Sequence, residues 1–283
     1  MEARTRWIEY REQHKKDYGA YVYMNEMVDR VVSPFQTIEI YHSDTFGKML
    51  VIDGFINTTE KDEFIYHEML THVALYSHTS PKHVLIIGGG DGGAMREIFR
   101  HRVVECVDLV DIDGMVIEIC KKHLPQMAVS FKDPRARVHV EDGAAFLKNS
   151  KDNYDIIIID STDPVGPGEC LFSQEFYECV NKHLNPGGIL VLQGGPGSNN
   201  MQNYVGIYPR LKKNFEIMKP YVATIDTYGG LWTLGYASQT CDPVESFRAA
   251  DYKRDDFDFF YYNDSIHKGC FSLPTYHRKR LFA

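Results

Sequence analysis

The sequence predicts an α/β protein: a mostly parallel sheet with helices on both faces and an antiparallel C-terminal hairpin, preceded by a small antiparallel β-unit. Three observations predict it. From Val84 onward, short apolar runs alternate with helical patterns, the rhythm of successive βαβ units. The first of these runs enters VLIIGGGDGGAMR, Val84–Arg96, where Gly88, Gly90 and Gly93 hold the G-x-G-x-x-G spacing of a strand, tight turn and helix. Residues 1–60 instead carry β-branched and aromatic runs with no helical pattern between them.

In chain order, Tyr21–Val32, Thr37–Tyr41 and Met49–Ile52 read as strands, separated by Ser33-Pro34, the Ser43–Gly47 turn and Asp53-Gly54, a strong hairpin signal. Glu60–Tyr76 changes period: Phe64, Ile65, Met69, Val73 and Tyr76 form a helical apolar face. Strands follow at Val84–Ile87, Glu105–Asp111, Arg137–Val140, Asp155–Asp160 and Gly188–Gln193. Helices are predicted near Ala94–Arg100, Met115–His123, Gly143–Asn149, Ser173–His183 and Gln202–Asn214. Asn185-Pro186-Gly187-Gly188 reads as a helix stop and turn. Tyr221–Tyr228 and Leu231–Ser238 flank Gly229-Gly230, a hairpin that closes the sheet with an antiparallel edge. Tyr252–Tyr262 is aromatic and acidic, with no pattern that assigns it a fold.

The expected division is a β-rich unit over 1–60 and a catalytic-sized α/β unit over 61–283. Lysine and arginine number 31 against 39 acids, a net charge of −8, so a basic nucleic-acid footprint is excluded. The six cysteines show no C-x-x-C pair and no disulfide-like clustering. With no apolar run of membrane length, the expectation is a reduced cytoplasmic protein that touches no membrane.

Chemistry concentrates at strand ends. Asp91 interrupts the glycine turn, where a dinucleotide site would place its pyrophosphate on a helix N-terminus. A carboxylate there would repel that group by roughly 4 kcal/mol at about 4 Å and an effective dielectric near 20. The turn therefore suits a nucleoside with a cationic tail, which points to adenosylmethionine chemistry. Asp111 ends the next strand at the distance from the turn where an acid commonly holds ribose hydroxyls. Asp142 is either an N-cap or a partner for an adenine amino group. IIIIDSTDPVGPGE, Ile156–Glu169, is a buried central strand that delivers Asp160 to the ligand edge, with Asp163 beside it and a proline- and glycine-framed loop suited to a lid. His67-Glu68 followed by His72 is one residue too long for H-E-x-x-H, and no G-x-S-x-G or P-loop lysine is present, so metal and serine-nucleophile readings fall away.

Taken together, IGGGDGG at Ile87–Gly93, DSTDPVGP at Asp160–Pro167, TEKDEFIYHEML at Thr59–Leu70 and the strand end at Gln193 resemble the spermidine synthase (aminopropyltransferase) family, in order and spacing from about Phe35 to Tyr228. YYNDSIHKGCFSLP also looks like that family's C-terminal segment. The resemblance implies a Rossmann-like methyltransferase fold behind an N-terminal β-domain. It implies transfer of the aminopropyl group of decarboxylated S-adenosylmethionine, a co-substrate and not a prosthetic group, to an amine, usually putrescine, releasing methylthioadenosine. By motif it makes Asp160 the general base. Asp91 would anchor the donor amine, with Gln36, Gly88, Gly90, Asp111 and Asp142 completing the donor site. Tyr66, His67, Asp163, Gln193 and Tyr228 would line the acceptor side. A homodimer or homotetramer is implied. Asn57, Gly194 after Gln193, and Trp232 in TYGGLWTLGY depart from the family pattern at the acceptor end, which leaves agmatine, cadaverine or a triamine as alternative acceptors. An amine N-methyltransferase would use intact S-adenosylmethionine, whose carboxylate Asp91 disfavours.

Overall fold

The computed structural model describes residues 6–11, 19–162, 164, 166–196, 204 and 206–282. The N-terminal region forms two antiparallel sheets. One pairs β1 (Arg6–Arg11) with β2 (Gly19–Met24), and the other runs in the order β3 (Glu26–Val32), β4 (Thr37–Ser43), β5 (Gly47–Ile52), β6 (Phe55–Thr59). The run Tyr21–Val32, expected as one strand, is broken at Asn25, and its halves belong to different sheets. Asp53-Gly54 is the predicted two-residue hairpin: both residues have positive φ, 50° and 85°, which matches the twist of the flanking strands.

Helix α1 (Glu63–Leu75) leads into the main sheet. This contains β7 (His83–Gly88), β8 (Cys106–Asp111), β9 (Ala136–Val140), β10 (Tyr154–Asp160), β11 (Leu184–Pro196), β12 (Ile217–Ile225) and β13 (Gly230–Ser238), in the order β12-β13-β11-β10-β7-β8-β9. The five strands from β9 to β11 are parallel, while β13 and β12 add the antiparallel edge. Helices α2 (Gly93–Phe99), α3 (Gly114–His123), α4 (Pro125–Ala128), α5 (Gly143–Asn149), α6 (Gln174–His183) and α7 (Ile207–Asn214) are interleaved. Residues 202, 203 and 205 of the helix predicted near Gln202–Asn214 lie outside the described residues. Asn185–Gly188 does stop α6 at His183, but the expected turn is carried inside β11 as an irregularity between the Leu184 and Ile189 pairings, with Gly187 at φ 80°.

Because the sheet is covered twice, successive residues of its central strands face different cores. Ile156 and Ile158 of β10 pack with Val84, Ile86 and the α1 residues Met69, Leu70 and Val73, whereas Ile157 and Ile159 join Leu85, Ile87, Tyr177 and Leu211. All four isoleucines are fully buried, which is why this strand reads as a continuous apolar run. A third cluster joins Ile38, Ile40, Leu50 and Ile52 of the N-terminal sheet to Val116, Ile119, Cys120, Leu124 and Met127, fixing that sheet against α3 and α4.

The C-terminal segment, unassigned by pattern, folds as α8 (Ala249–Asp255), an aromatic stretch, α9 (Asp264–Gly269) and α10 (Thr275–Leu281). Tyr262 stacks on Tyr76 with 5.9 Å between ring centres, and Tyr252 on Phe259. The buried Glu68 carboxylate accepts hydrogen bonds from the backbone N–H groups of Phe260, Tyr261 and Tyr262, at 2.9, 2.9 and 2.7 Å. No helix among the described residues is long and apolar enough to cross a membrane.

Candidate functional site

Chain order reverses direction between β7 and β10, and a crevice opens beyond the carboxyl ends of strands at such a switch point. Here it is a cavity of about 340 Å³. Gln36, Tyr66, Gly88, Gly90, Asp91, Asp111, Asp142, Asp160, Gln193 and Tyr228 all line it, ten of the twelve residues singled out from the sequence. Asp163 lies outside the described residues. His67 is 1% exposed and is not part of the cavity wall: expected at the acceptor end, it sits behind Asp91.

The glycine turn brings two strand ends unusually close. Gly88 pairs with Asp160 across the sheet, and Gly89 N–H donates to the Asp160 carbonyl at 2.9 Å. A side chain on Gly88 would overlap that carbonyl, and Gly88 has φ 87°, so only glycine fits there. Gly93 is constrained from another direction. A Cβ at this position would lie 2.2–2.5 Å from three atoms of the His67 ring.

At the end of β8, Asp111 accepts from Gly90 N–H at 3.0 Å and from Asp113 N–H at 2.9 Å. Burial pushes its carboxyl up to about 6 despite these donors. Asp113, which the sequence reading passed over, caps α3 through Met115 N–H and accepts from Ser33 Oγ (2.6 Å) and Gln36 Nε2 (3.0 Å). That joint is how a residue of the β3–β4 connection comes to line a cavity in the main sheet. The spacing Asp111-Ile112-Asp113 was a visible signal for it. Asp142 caps α5, accepting from Ala145 N–H at 2.7 Å, and also lines the cavity.

The two central carboxylates have opposite surroundings. Asp160 accepts from Tyr66 Oη at 2.7 Å. Burial, then the nearby Asp91 charge, raise its carboxyl to about 6, while His67 and the Tyr66 hydroxyl pull the other way. Asp91 accepts from Gly93 N–H at 2.7 Å and faces His67 Nε2 at 3.4 Å. Burial opposes its ionisation, but the His67 charge and these hydrogen bonds outweigh burial and hold it below the usual carboxylate range. Burial and the Asp160 charge keep the Tyr66 hydroxyl protonated. One cavity thus holds two carboxylates pushed in opposite directions, Asp91 below the usual range and Asp160 up to about 6.

The far end is aromatic. Tyr66 and Tyr228 pack edge to face at 5.9 Å, and Trp232 lies 4.7 Å beyond Tyr228. The Tyr228 hydroxyl donates to the Asn57 carbonyl, and Gln193 Nε2 donates to the Thr162 carbonyl at 3.2 Å. Buried Asp62, at the start of α1, accepts from Thr227 N–H at 3.0 Å and from its hydroxyl, which ties the hairpin turn carrying Tyr228 to the helix carrying Tyr66.

Residues 63–246 match the spermine/spermidine synthase domain and residues 7–60 the spermidine synthase tetramerisation domain. The polyamine aminopropyltransferase of Alkaliphilus oremlandii is 41% identical over 275 residues, covering 96% of this chain and 97% of the relative. That of Bacillus subtilis is 41% identical over 268 residues, covering 94% and 96%. A spermidine synthase solved in complex with the transition-state analogue AdoDATO has a TM-score of 0.94 at 36% identity, covering 99% of this chain and 97% of that one. The spermidine synthase of Thermotoga maritima has a TM-score of 0.91 at 35% identity, covering 99% and 96%.

Proposed function

The chain belongs to the spermine/spermidine synthase family of transferases, and from that premise we propose that it moves the aminopropyl group of decarboxylated S-adenosylmethionine to putrescine, giving spermidine and methylthioadenosine. The observation that carries this reading is the pair Asp91 and Asp160 in one cavity, one held ionised and the other able to take up a proton. A donor with an ammonium tail needs a fixed anion, and the solved complex with AdoDATO supports such a donor.

An alkylamine with a pKa near 10 is protonated at neutral pH and has no lone pair to attack with. In this reading Asp160, ionised above about pH 6, accepts the acceptor's proton as the amine nitrogen bonds to the propyl carbon. The carbon–sulfur bond breaks, and its electron pair stays on sulfur, which passes from sulfonium to neutral thioether. Tyr66 steadies the Asp160 carboxylate through their hydrogen bond. Asp111 and Gln36 hold the nucleoside side, and Asp142 faces the adenine. Gln193, Asp163 and the Tyr66, Tyr228 and Trp232 rings receive the acceptor, the rings offering faces to its distal ammonium.

The accompanying organisation divides the chain near residue 60, supported by the N-terminal sheet ending at Thr59. Exposed Met27, Val28 and Val32 on β3 support self-association through that unit. Six free cysteines support a reducing, cytoplasmic setting.

The test is to incubate purified protein with either donor and a panel of amines, and to identify the products by mass. Spermidine from putrescine and the decarboxylated donor is expected. Methylated putrescine from intact donor, with no triamine from the other, would overturn the proposal. Asp160→Asn should retain donor binding and lower turnover by about 10²–10⁴, and near-normal turnover would remove Asp160 as the base.

A further inference from the structure

Behind Asp91 lies a chain of buried charges that the transfer reaction leaves without a task. Glu63 and His67 are four residues apart on one face of α1, with Glu63 Oε2 2.5 Å from His67 Nδ1. The other ring nitrogen, Nε2, faces Asp91 Oδ2 at 3.4 Å. Glu63 is gripped by the Arg96 fork from α2, with Nη1 to Oε1 at 2.8 Å and Nη2 to Oε2 at 3.0 Å. Arg96 is itself oriented by Glu97, at 2.9 Å from Nε. His67 and Glu63 are both buried.

An imidazole with a carboxylate at each nitrogen donates at both only as imidazolium; the neutral ring would turn a lone pair toward one of the carboxylates. The charged and titratable groups that face this ring are Glu63 and Tyr66 of its own helix, Asp91 of the glycine turn, Arg96 of α2, and Asp160 of β10 across the cavity. Burial opposes the charged ring, but Asp91 and then Glu63 outweigh it and hold the imidazolium well above its ordinary range. The consequence reaches the cavity. Two carboxylates sharing a site normally trap one proton between them, and a fixed cation beside Asp91 relieves that tendency.

We propose that Glu63, clamped by Arg96, is a positioning residue for aminopropyl transfer: it holds the His67 ring edge-on to Asp91, so that Asp91 stays an aimed anion for the donor's ammonium and Asp160 alone takes up the acceptor's proton. This rests on the transfer reading given above. The residue acts through His67 and Asp91 and touches no substrate. The absence of any side chain at Gly93 belongs to the same device, since the ring occupies that space.

The test compares wild type with Glu63→Gln, which keeps size and removes charge. Two readouts separate positioning from mere packing. Calorimetric affinity is measured for decarboxylated S-adenosylmethionine and for methylthioadenosine, which lacks the ammonium tail. The pH profile of kcat is then recorded with both substrates saturating. Donor affinity should fall about tenfold, the size of one lost charge-assisted interaction, with methylthioadenosine affinity unchanged. The acid limb of kcat should rise by roughly one pH unit, because a ring no longer held by Glu63 turns its charge away from the Asp91–Asp160 pair and favours the ionised Asp160 less. Equal losses for both ligands, or an unshifted acid limb, would overturn the proposal. If Glu63→Gln does not fold, Arg96→Lys, which keeps the charge but loses the fork, must give the same signature in smaller degree; a wild-type ligand ratio in that variant overturns it. Wild-type turnover tests the transfer reading separately, because the ligand ratio is read without turnover.

Discussion

Tyr66→Phe isolates the environment of the proposed base. It removes one oxygen, the donor 2.7 Å from Asp160 Oδ1, and keeps the ring that packs against Tyr228. A hydrogen bond to a charged group contributes roughly 1.5–3 kcal/mol, and 1.36 kcal/mol corresponds to about one pH unit. The bond favours the ionised carboxylate, so its loss should raise the acid limb from about 6 by roughly one to two units. At pH 7 the ionised fraction would fall from about 0.9 to between about 0.5 and 0.1. The variant's kcat should therefore drop about twofold to tenfold at neutral pH and recover near pH 9. The assay is steady-state release of methylthioadenosine at saturating substrates across that range. A uniform loss of kcat at every pH, with the acid limb where wild type has it, would refute the reasoning and make Tyr66 a packing element of the acceptor wall.

Two further outcomes are expected. Gly93→Ala places a methyl group 2.2 Å from the nearest His67 ring atom, and overpacking there should cost about 1–3 kcal/mol in denaturant unfolding and weaken donor binding; a variant as stable as wild type would contradict the close fit. His267 is buried, with Nδ1 2.6 Å from the Tyr262 hydroxyl and Nε2 2.8 Å from the Pro243 carbonyl, and burial lowers its imidazole to about 4. Above pH 6.5 it is neutral whether the chain is folded or not. As pH falls toward 4 the unfolded chain takes up the proton first, so folded stability declines across that window. The decline between pH 7 and 4.5 should be shallower by about 2–3 kcal/mol in His267→Gln, and parallel curves would refute the assignment.

The parallel strands and the acids at their ends were legible in the sequence because both are local. Four consecutive isoleucines ending in Asp160 announce a doubly covered strand, and a glycine turn announces the crevice. The turn's meaning was only half legible. Its glycines read as room for a nucleotide, yet Gly88 and Gly93 also make room for the protein's own Asp160 carbonyl and His67 ring. Asp91 read as an anomaly awaiting a cationic ligand, whereas the protein already supplies a cation behind it in His67. The resemblance placed His67 at the acceptor end, but a motif does not register the depth of each residue, and the ring is buried behind Asp91. Asn25 looked like part of a strand because propensity does not register which sheet each half will join. The aromatic stretch after Tyr252 had no readable fold because its partners, Tyr76 and Glu68, lie nearly two hundred residues earlier.

The Glu68 carboxylate bears on how the protein folds. Tyr66, His67 and Glu68 are consecutive, and they address the cavity, the buried charge chain and the C-terminal segment in turn. The three backbone bonds to Glu68 close loops of 192, 193 and 194 residues. Contacts so distant in sequence form late, because the entropy of closing them must be overcome before they stabilise anything. The sheet and its glycine turn can assemble from neighbouring βαβ units well before that. The orientation of α1, and with it the aim of Tyr66 toward Asp160, is held jointly by its packing on the sheet, by the Arg96 grip on Glu63 and by the docking of residues 260–262 on Glu68. The C-terminal segment thus braces, from outside the crevice, the helix that carries Tyr66 to Asp160.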